Sequence, residues 1–323
     1  MKKILICGGA GFIGHHLARK LKYEGNIVVV ADIKPLDSPD CYLHPSDFDH
    51  YIQGNLTYRD VWETIERKCE RFDEVYQLAA DMGGAGYIFT GEHDTDIMLN
   101  SSQINILAVQ FALRWKAKIF YSSSACMYPA YNQEDPSNPN CKEGSAYPAN
   151  PDSEYGWEKL FSERLYLAAN KNYGLEVRIA RFHNIFGPEG TWKGGKEKAP
   201  AALCRKVLEA DKEVEIWGPG NQTRSFLYIE ECIEGVQRLM ESDFTGPVNI
   251  GSDEMISIND LARMIIKISG KNVELKNVKG PLGVMGRNSD NTLIQEKLNW
   301  KPLMRLEDGI FKTFHWIRRQ MSL

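Results

Sequence analysis

The sequence predicts a doubly wound α/β protein, a parallel sheet with helices on both faces, with a smaller α/β lobe towards the C-terminus. Three observations carry that expectation. A glycine-rich turn joins an apolar run to an amphipathic stretch near the N-terminus, strand-like and helix-like patterns then alternate along the chain, and no internal repeat or low-complexity tract interrupts them. With 323 residues, 43% of them hydrophobic and 25% charged, the chain can bury a large core.

The first element is the most informative. "KKILICGGAGFIGHHLARKLKYEGNIVVVADI" reads as an apolar strand (Ile4 to Cys7), a turn, a helix and a second apolar strand (Ile27 to Ala31) closed by Asp32. Gly8, Gly11 and Gly14 form a GxxGxxG turn. Their missing side chains permit a tight bend, close approach of backbone N–H groups to a pyrophosphate, and close packing of the helix on the sheet. Phe12 and Ile13 lie within the same turn, and Asp32 follows Gly14 by 18 residues. A carboxylate there accepts both hydroxyls of an adenosine ribose and repels a 2′-phosphate, so the expected cofactor is NAD rather than NADP. This half of the chain reads as a Rossmann cofactor lobe.

Further strands are expected at "DEVYQLAA" (73–80), "KIFYSSSA" (118–125) and "LEVRIARFHNIFG" (175–187), with helices around 97–115 and 155–173. Ligands of such sheets sit at the carboxyl ends of the strands, where the loops "AADMGGAGY", "SSSACMYP" and "RFHNIFGPEGTW" fall. The Pro-rich stretch before Tyr155 reads as a long ordered loop roofing the site. The expected division is a cofactor lobe of residues 1–184 plus 226–251, and a substrate lobe of residues 185–225 plus 252–323.

A formal net charge of −4 argues against a polyanion-binding surface, and hence against nucleic acid as a partner. No apolar run is long enough for a membrane span, and the N-terminal apolar run is too short for a signal peptide, so the expected location is the cytoplasm. Seven cysteines without a CxxC pair read as reduced thiols, not as a disulfide framework or zinc site, and no metal is expected. Cys7, Cys69, Cys204 and Cys232 read as packing residues, while Cys41 and Cys141 fall in polar loops without a role. Cys126, two residues after Ser124 in "SSSACMYP", stands apart.

In "SEYGWEKL", Tyr155 and Lys159 lie four apart and share one helix face. A lysine ammonium beside a phenol lowers the tyrosine pKa from about 10, giving a base able to take a hydroxyl proton as hydride leaves the same carbon. Taken alone, the pair reads equally well as a half-buried tyrosine beside a solvated lysine. Ser124, at a strand end downstream of the dinucleotide turn, is what points to chemistry.

Ser124, Tyr155 and Lys159 following a GxxGxxG start resemble the extended short-chain dehydrogenase/reductase superfamily, over the whole chain. The blocks "ADMGGAGYI", "SSACMYP", "EYGWEKL", "RFHNIFGPEGTWKGGKEKAPAALCRK", "WGPGNQTRSFLYIEECIEGV", "PVNIGSDEMISINDLA" and "GRNSDNTLIQEKLNW" are similar to the GDP-mannose 3,5-epimerase family within it. Asn55, where the superfamily usually has Asp, and Ala85, where Met is expected, are small departures. The resemblance implies transient oxidation at C4 of a GDP-hexose by bound NAD, then inversion at C5 and C3. Tyr155 would take the C4 hydroxyl proton with Lys159 and Ser124 holding the geometry, and Cys126 and Lys198 would form the acid/base pair at the carbons. Gly84, Ser124, Asn184, Glu197, Lys198, Lys206, Gln222, Arg224 and Arg287 would line the substrate, the two arginines on its diphosphate. The lysines and arginine crowding residues 193–206 would then grip diphosphate and sugar rather than form a solvated face. His183 reads as structural.

The resemblance also implies a homodimer, through a helix whose expected apolar face is Leu160, Phe161, Leu165 and Leu167. Alternatives stay open: a 4-epimerase or 5-epimerase of another GDP-hexose or heptose, or a non-catalytic NAD-binding sensor. A 4,6-dehydratase would resemble its group only with an Asp-Glu pair after the serine, where this chain has Ala125 and Cys126.

Overall fold

The structure, a computed structural model, describes residues 1–280 and 282–323. In chain order the first half supplies β1 (Lys3–Cys7), α1 (Phe12–Tyr23), β2 (Ile27–Asp32), β3 (His50–Gln53), α2 (Arg59–Cys69), β4 (Glu74–Gln77), α3 (Ala85–Ile88), α4 (Asp94–Trp115), β5 (Lys118–Ser124), α5 (Glu154–Tyr173) and β6 (Val177–Phe182). There follow β7 (Ile185–Phe186), α6 (Ala199–Glu209), β8 (Glu213–Trp217), β9 (Thr223–Ser225), β10 (Leu227–Tyr228), α7 (Ile229–Glu241) and β11 (Val248–Ile250). The last part holds β12 (Met255–Ser257), α8 (Ile258–Ser269), β13 (Glu274–Val278), β14 (Gly286–Arg287), α9 (Thr292–Leu298) and α10 (Leu306–Gln320).

Seven strands make one parallel sheet in the order β11-β6-β5-β4-β1-β2-β3. Both faces are covered, which explains why its strands read as continuous apolar runs. Alternate residues still point to opposite faces: Ile4, Ile6, Val28 and Val30 enter one core, and Leu5, Cys7, Val29 and Ala31 enter the other. The first of these cores continues without a break into Leu203 and Val207 of α6, Ile265 of α8 and Phe314 of α10. The cofactor sheet and the C-terminal helices are therefore packed on shared apolar side chains.

Three expectations are corrected here. The run at 175–187 is not one strand. It breaks at His183 and Asn184, where Asn184 takes a left-handed φ of 44°, a conformation asparagine tolerates better than most residues. The break is held by Asn184 Nδ2 donating to the carbonyl of Ser225 at 2.9 Å, and β7 leaves the sheet to pair with β10. Next, Leu160, Phe161, Leu165 and Leu167 do not share an outward face. Leu160 is buried against Met127, Tyr128 and Cys141, Leu165 and Leu167 pack on the second core, and only Phe161 is largely exposed. Finally, Cys141 is buried in that small cluster rather than lying in a solvated loop.

The long loop between β5 and α5 is ordered by three 3-10 turns, Ala125–Met127, Ala130–Gln133 and Glu143–Ala146. The Glu143 carboxylate accepts from the Asn249 backbone N–H at 2.8 Å, fastening the loop to β11. No helix among the described residues is long and apolar enough to cross a membrane.

Candidate active site

The glycine turn is built for a phosphate-bearing ligand. A side chain on Gly14 would lie 2.2 Å from the Gly8 carbonyl oxygen, and Gly8 itself has a φ of 78° with the Ala79 backbone 2.8 Å from where a Cβ would be. Gly11, at the N-cap of α1, brings no side-chain acceptor, so the first-turn N–H groups are left for an anion. At the end of β2, Asp32 is 8% exposed, and its two oxygens accept from the Ala10 and Lys34 backbone N–H groups, each at 2.9 Å. Each carboxylate oxygen keeps a lone pair for a ribose hydroxyl. These residues fit an adenine dinucleotide.

From α1 the site is tied to the segment leading to Lys198. His15 donates from Nδ1 to the Gly11 carbonyl at 2.8 Å, and its Nε2 lies 2.9 Å from Glu189, which Arg19 also approaches at 3.2 Å. Burial works against the Glu189 carboxylate, but the His15 and Arg19 contacts outweigh it and hold its pKa down to about 2.

Ser124, Cys126, Tyr155 and Lys159 meet at the carboxyl end of β5. The Ser124 hydroxyl accepts from the Cys126 backbone N–H at 3.2 Å, starting the 3-10 turn that carries the cysteine. Ser153 caps α5, its hydroxyl accepting from the Gly156 N–H at 3.3 Å, so Tyr155 sits in the first helical turn. Gly156 is pressed on the cysteine turn, because a Cβ there would lie 2.2 Å from the Cys126 carbonyl oxygen. One full turn on, Lys159 is 2% exposed and donates to the Ser122 carbonyl at 3.0 Å, with its Nζ 5.5 Å from the Tyr155 ring centroid.

The tyrosine pKa runs opposite to the sequence expectation. Burial pushes the Tyr155 phenol well up, nearby Cys126 adds to the rise, and a hydrogen bond from the Ser124 side chain only partly offsets it. Burial pulls the Lys159 pKa down against the pull of Glu158. Desolvation is thus the dominant influence on this phenol.

The Cys126 sulfur is the point on which the site converges. It lies within electrostatic reach of Tyr155, Lys159, Lys198, Arg224 and Arg287, which come from α5, the N-cap of α6, β9 and β14. Arg287 donates from Nη1 to the sulfur at 3.1 Å. Its register partner across the β14–β9 pair is Arg224, so the two guanidinium groups stand side by side. Burial and then the neighbouring Arg287 lower the Arg224 pKa to about 10. Arg224 donates to the Val284 carbonyl at 2.7 Å, leaving Arg287 as the arginine that touches sulfur. Lys198 is half-buried, and burial lowers its pKa while Cys126 and Cys232 oppose the fall.

The other sequence-singled residues surround this centre at varying distance. The Gly84 backbone approaches the Glu197 carbonyl so closely that a Cβ would lie 2.4 Å from its oxygen. Glu197 itself accepts from Arg205 at 2.8 Å and from the Gly195 N–H at 2.7 Å. Gln222 is buried and donates to the Trp217 carbonyl at 3.0 Å, while Lys206 donates to the Glu215 carbonyl at 2.9 Å and lies over the Trp217 ring. Lys196 sits 3.9 Å from the Tyr87 ring centroid and Lys193 4.8 Å from that of Trp192, so these cations rest on aromatic faces. His183 is buried and bonded to Asn249 at 2.9 Å, in keeping with a structural role.

Sequence reasoning missed two residues at the centre. Gln133 accepts from Arg287 Nε at 2.5 Å, and Asp152 lies 3.7 Å from Arg287 Nη2. No local pattern marks either one, since the arginine they meet is more than a hundred residues further along the chain.

A family model described as the NAD dependent epimerase/dehydratase family matches residues 4–251. The chain belongs to that family. GDP-mannose 3,5-epimerase of Arabidopsis thaliana is 47% identical over 99% of this chain and 83% of the relative, and GDP-mannose 3,5-epimerase 1 of Oryza sativa subsp. indica is 45% identical over 99% and 82%. Among solved structures, the Bacillus cereus UDP-glucuronic acid 4-epimerase in complex with UDP-glucuronic acid and NAD is 27% identical, with a TM-score of 0.81 over 98% of this chain and 99% of that one. The Thermotoga maritima UDP-glucose 4-epimerase has a TM-score of 0.85 at 23% identity, over 99% of both chains, a likeness of fold. This family member therefore carries the Rossmann sheet and the NAD dependence expected from its first forty residues.

Proposed function

We propose that this protein is an NAD-dependent 3,5-epimerase of GDP-mannose, forming GDP-L-galactose and, by inversion at C5 alone, GDP-L-gulose. The observation that carries the reading is the convergence of cationic side chains on the Cys126 sulfur beside Tyr155. A 4-epimerase needs no acid/base group at C3 or C5, and so no thiol embraced by cations. The relatives named GDP-mannose 3,5-epimerase support the same reading.

Bound NAD, held by the glycine turn and Asp32, supplies reversible hydride acceptance from sugar C4, which places C3 and C5 next to a carbonyl. Tyr155 takes the C4 hydroxyl proton and later returns it, with Ser124 close enough to influence its phenol and Lys159 Nζ 5.5 Å from its ring centroid. Cys126 and Lys198 then act from opposite faces of the ring, one removing an α-proton and the other delivering a proton. Arg287 donates to the sulfur, so a cation stands beside the atom that would take the proton. Gly84, Asn184, Glu197, Lys206, Gln222 and Arg224 orient the GDP-sugar, residues 185–225 plus 252–323 closing on it over the cofactor lobe of residues 1–184 plus 226–251. The exposed Trp157 and Phe161 on α5 and Leu99 on α4 offer the face for a homodimer. The expected location is the cytoplasm.

Incubation with GDP-mannose in heavy water, followed by NMR of the sugar, tests the reading. Deuterium should enter C5 and C3 but never C4, since the hydride at C4 returns to its own carbon. A product inverted only at C4, with no label at either neighbour, would make the chain a 4-epimerase.

A further inference from the structure

Arg287 is 5% exposed and lies among groups that fix its direction. A guanidinium has five N–H donors in a rigid fork, so the position of one edge sets the others. Nη1 donates to the Cys126 sulfur at 3.1 Å, and Nε donates to Gln133 Oε1 at 2.5 Å. Gln133 is itself fully buried, and its amide has only one way round. Nε2 donates to the Tyr128 carbonyl at 3.1 Å and the Pro129 carbonyl at 3.2 Å, which obliges Oε1 to face the arginine. Asp152, just ahead of α5, stands 3.7 Å from Nη2 on the remaining edge.

The geometry points to Gln133 as a positioning residue that acts through Arg287, with Asp152 backing it, to hold the guanidinium on the Cys126 thiol rather than free to swing towards a diphosphate. The Gln133 side chain hydrogen-bonds to Arg287 and to the Tyr128 and Pro129 carbonyls, not to the sulfur or to Ser124, Tyr155, Lys159 or Lys198. Its effect on chemistry passes through one hydrogen bond to Nε. For the turnover arm of the test the inference rests on the proposed epimerase reading, whereas the labelling arm does not depend on it.

The protein supplies its own reference for that labelling. Cys126 and Cys41 are both half-buried, and the other five thiols are buried. Alkylation by iodoacetamide at fixed neutral pH, quantified peptide by peptide by mass spectrometry, gives a Cys126-to-Cys41 rate ratio, and unchanged protection of the five buried thiols shows that the fold is intact while it is read. Gln133→Met, which keeps volume but removes the acceptor, should lower that ratio about tenfold, the scale of one lost hydrogen bond to a charged group. Arg287→Lys should lower it comparably. The double variant should be no lower than Arg287→Lys alone, because Gln133 has nothing left to hold. If Gln133→Met does not fold, Gln133→Asn, with its amide withdrawn by one methylene, takes its place. In turnover, kcat should fall with KM within about twofold of wild type. A ratio unchanged in the Gln133 variant, effects that add in the double variant, or a raised KM with kcat intact would each overturn the inference. A lowered ratio in a protein that epimerises no GDP-mannose would instead sink the proposed function and leave the clamp standing.

Discussion

At the scale of single residues, the proposed chemistry separates oxidation at C4 from proton traffic at C3 and C5. Tyr155→Phe should abolish every step, because without the phenol no ketone forms. Cys126→Ala should leave Ser124, Tyr155 and Lys159 in place. It should therefore still accumulate reduced nicotinamide on mixing with GDP-mannose, read as absorbance near roughly 340 nm. Its exchange of C3 and C5 hydrogens into heavy water should drop by about 10² to 10⁴, the usual cost of one positioned acid/base group. Full exchange in that variant would reduce Cys126 to packing. At the other end of the cofactor, Asp32→Ala should weaken NAD retention by about 1–3 kcal/mol through two lost ribose hydrogen bonds, measured as NAD content after gel filtration.

At the scale of elements, the contact between α5 and the 3-10 turn of Cys126 sets the distance between base and thiol. Gly156 is the residue that lets them touch, its absent Cβ sparing a 2.2 Å collision with the Cys126 carbonyl. Gly156→Ala would gain up to about 1 kcal/mol of helix propensity. It should nonetheless destabilise the protein by about 1–3 kcal/mol, since a packed carbonyl must be displaced. It should also cut kcat at least about tenfold as Tyr155 and Lys159 retreat with the helix. Thermal unfolding and steady-state kinetics check both, and a more stable, fully active variant would show that the helix is free to shift.

The elements also show what could be read in advance. The glycine turn, Asp32 and the Tyr155–Lys159 spacing were legible because each is a local pattern whose geometry follows from one helix or one turn. The break at Asn184 was not, because the apolar run continues across it and the left-handed residue is fixed by bonds to distant Ser225 and Leu227. The direction of the Tyr155 shift was misjudged for a related reason. Spacing along a helix places the lysine beside the ring, but how much water is excluded depends on loops distant in sequence. Gln133 and Asp152 were invisible because their partner Arg287 arrives from β14.

At the scale of the whole molecule, burial of histidine makes folding sensitive to acid. Desolvation lowers the His183 pKa to about 3 and, with neighbouring His15, that of His16 to about 4. Below pH 6.5 the unfolded chain takes up protons at both positions that the folded chain refuses, so stability falls as pH drops from 6.5 towards 4. Two such groups give a slope approaching about 2.7 kcal/mol per pH unit. Urea unfolding at pH 6.5, 5.5 and 4.5 measures it, and His183→Gln should remove about half of the slope. Stability that stays level or rises on acidification would contradict the burial of these rings in neutral form. Glu189, held at about 2, adds its own loss only below its ordinary carboxylate range near pH 4.5.

The place of β11 has a consequence for the protein while it is being made. This strand closes the flank of β6, yet residues 183–247 must be synthesised between the two. At about 5–20 residues per second the nascent chain spends several seconds with the β6 backbone unpaired on that side. Such a bare flank is a template for joining another chain. A polypeptide stopped at residue 245 should therefore sediment with aggregates, whereas one that continues past Ile250 should have the longer β6 paired and only the three-residue β11 at that edge. The seventh strand of the sheet therefore takes its place only after residues 183–247 have left the ribosome ahead of it.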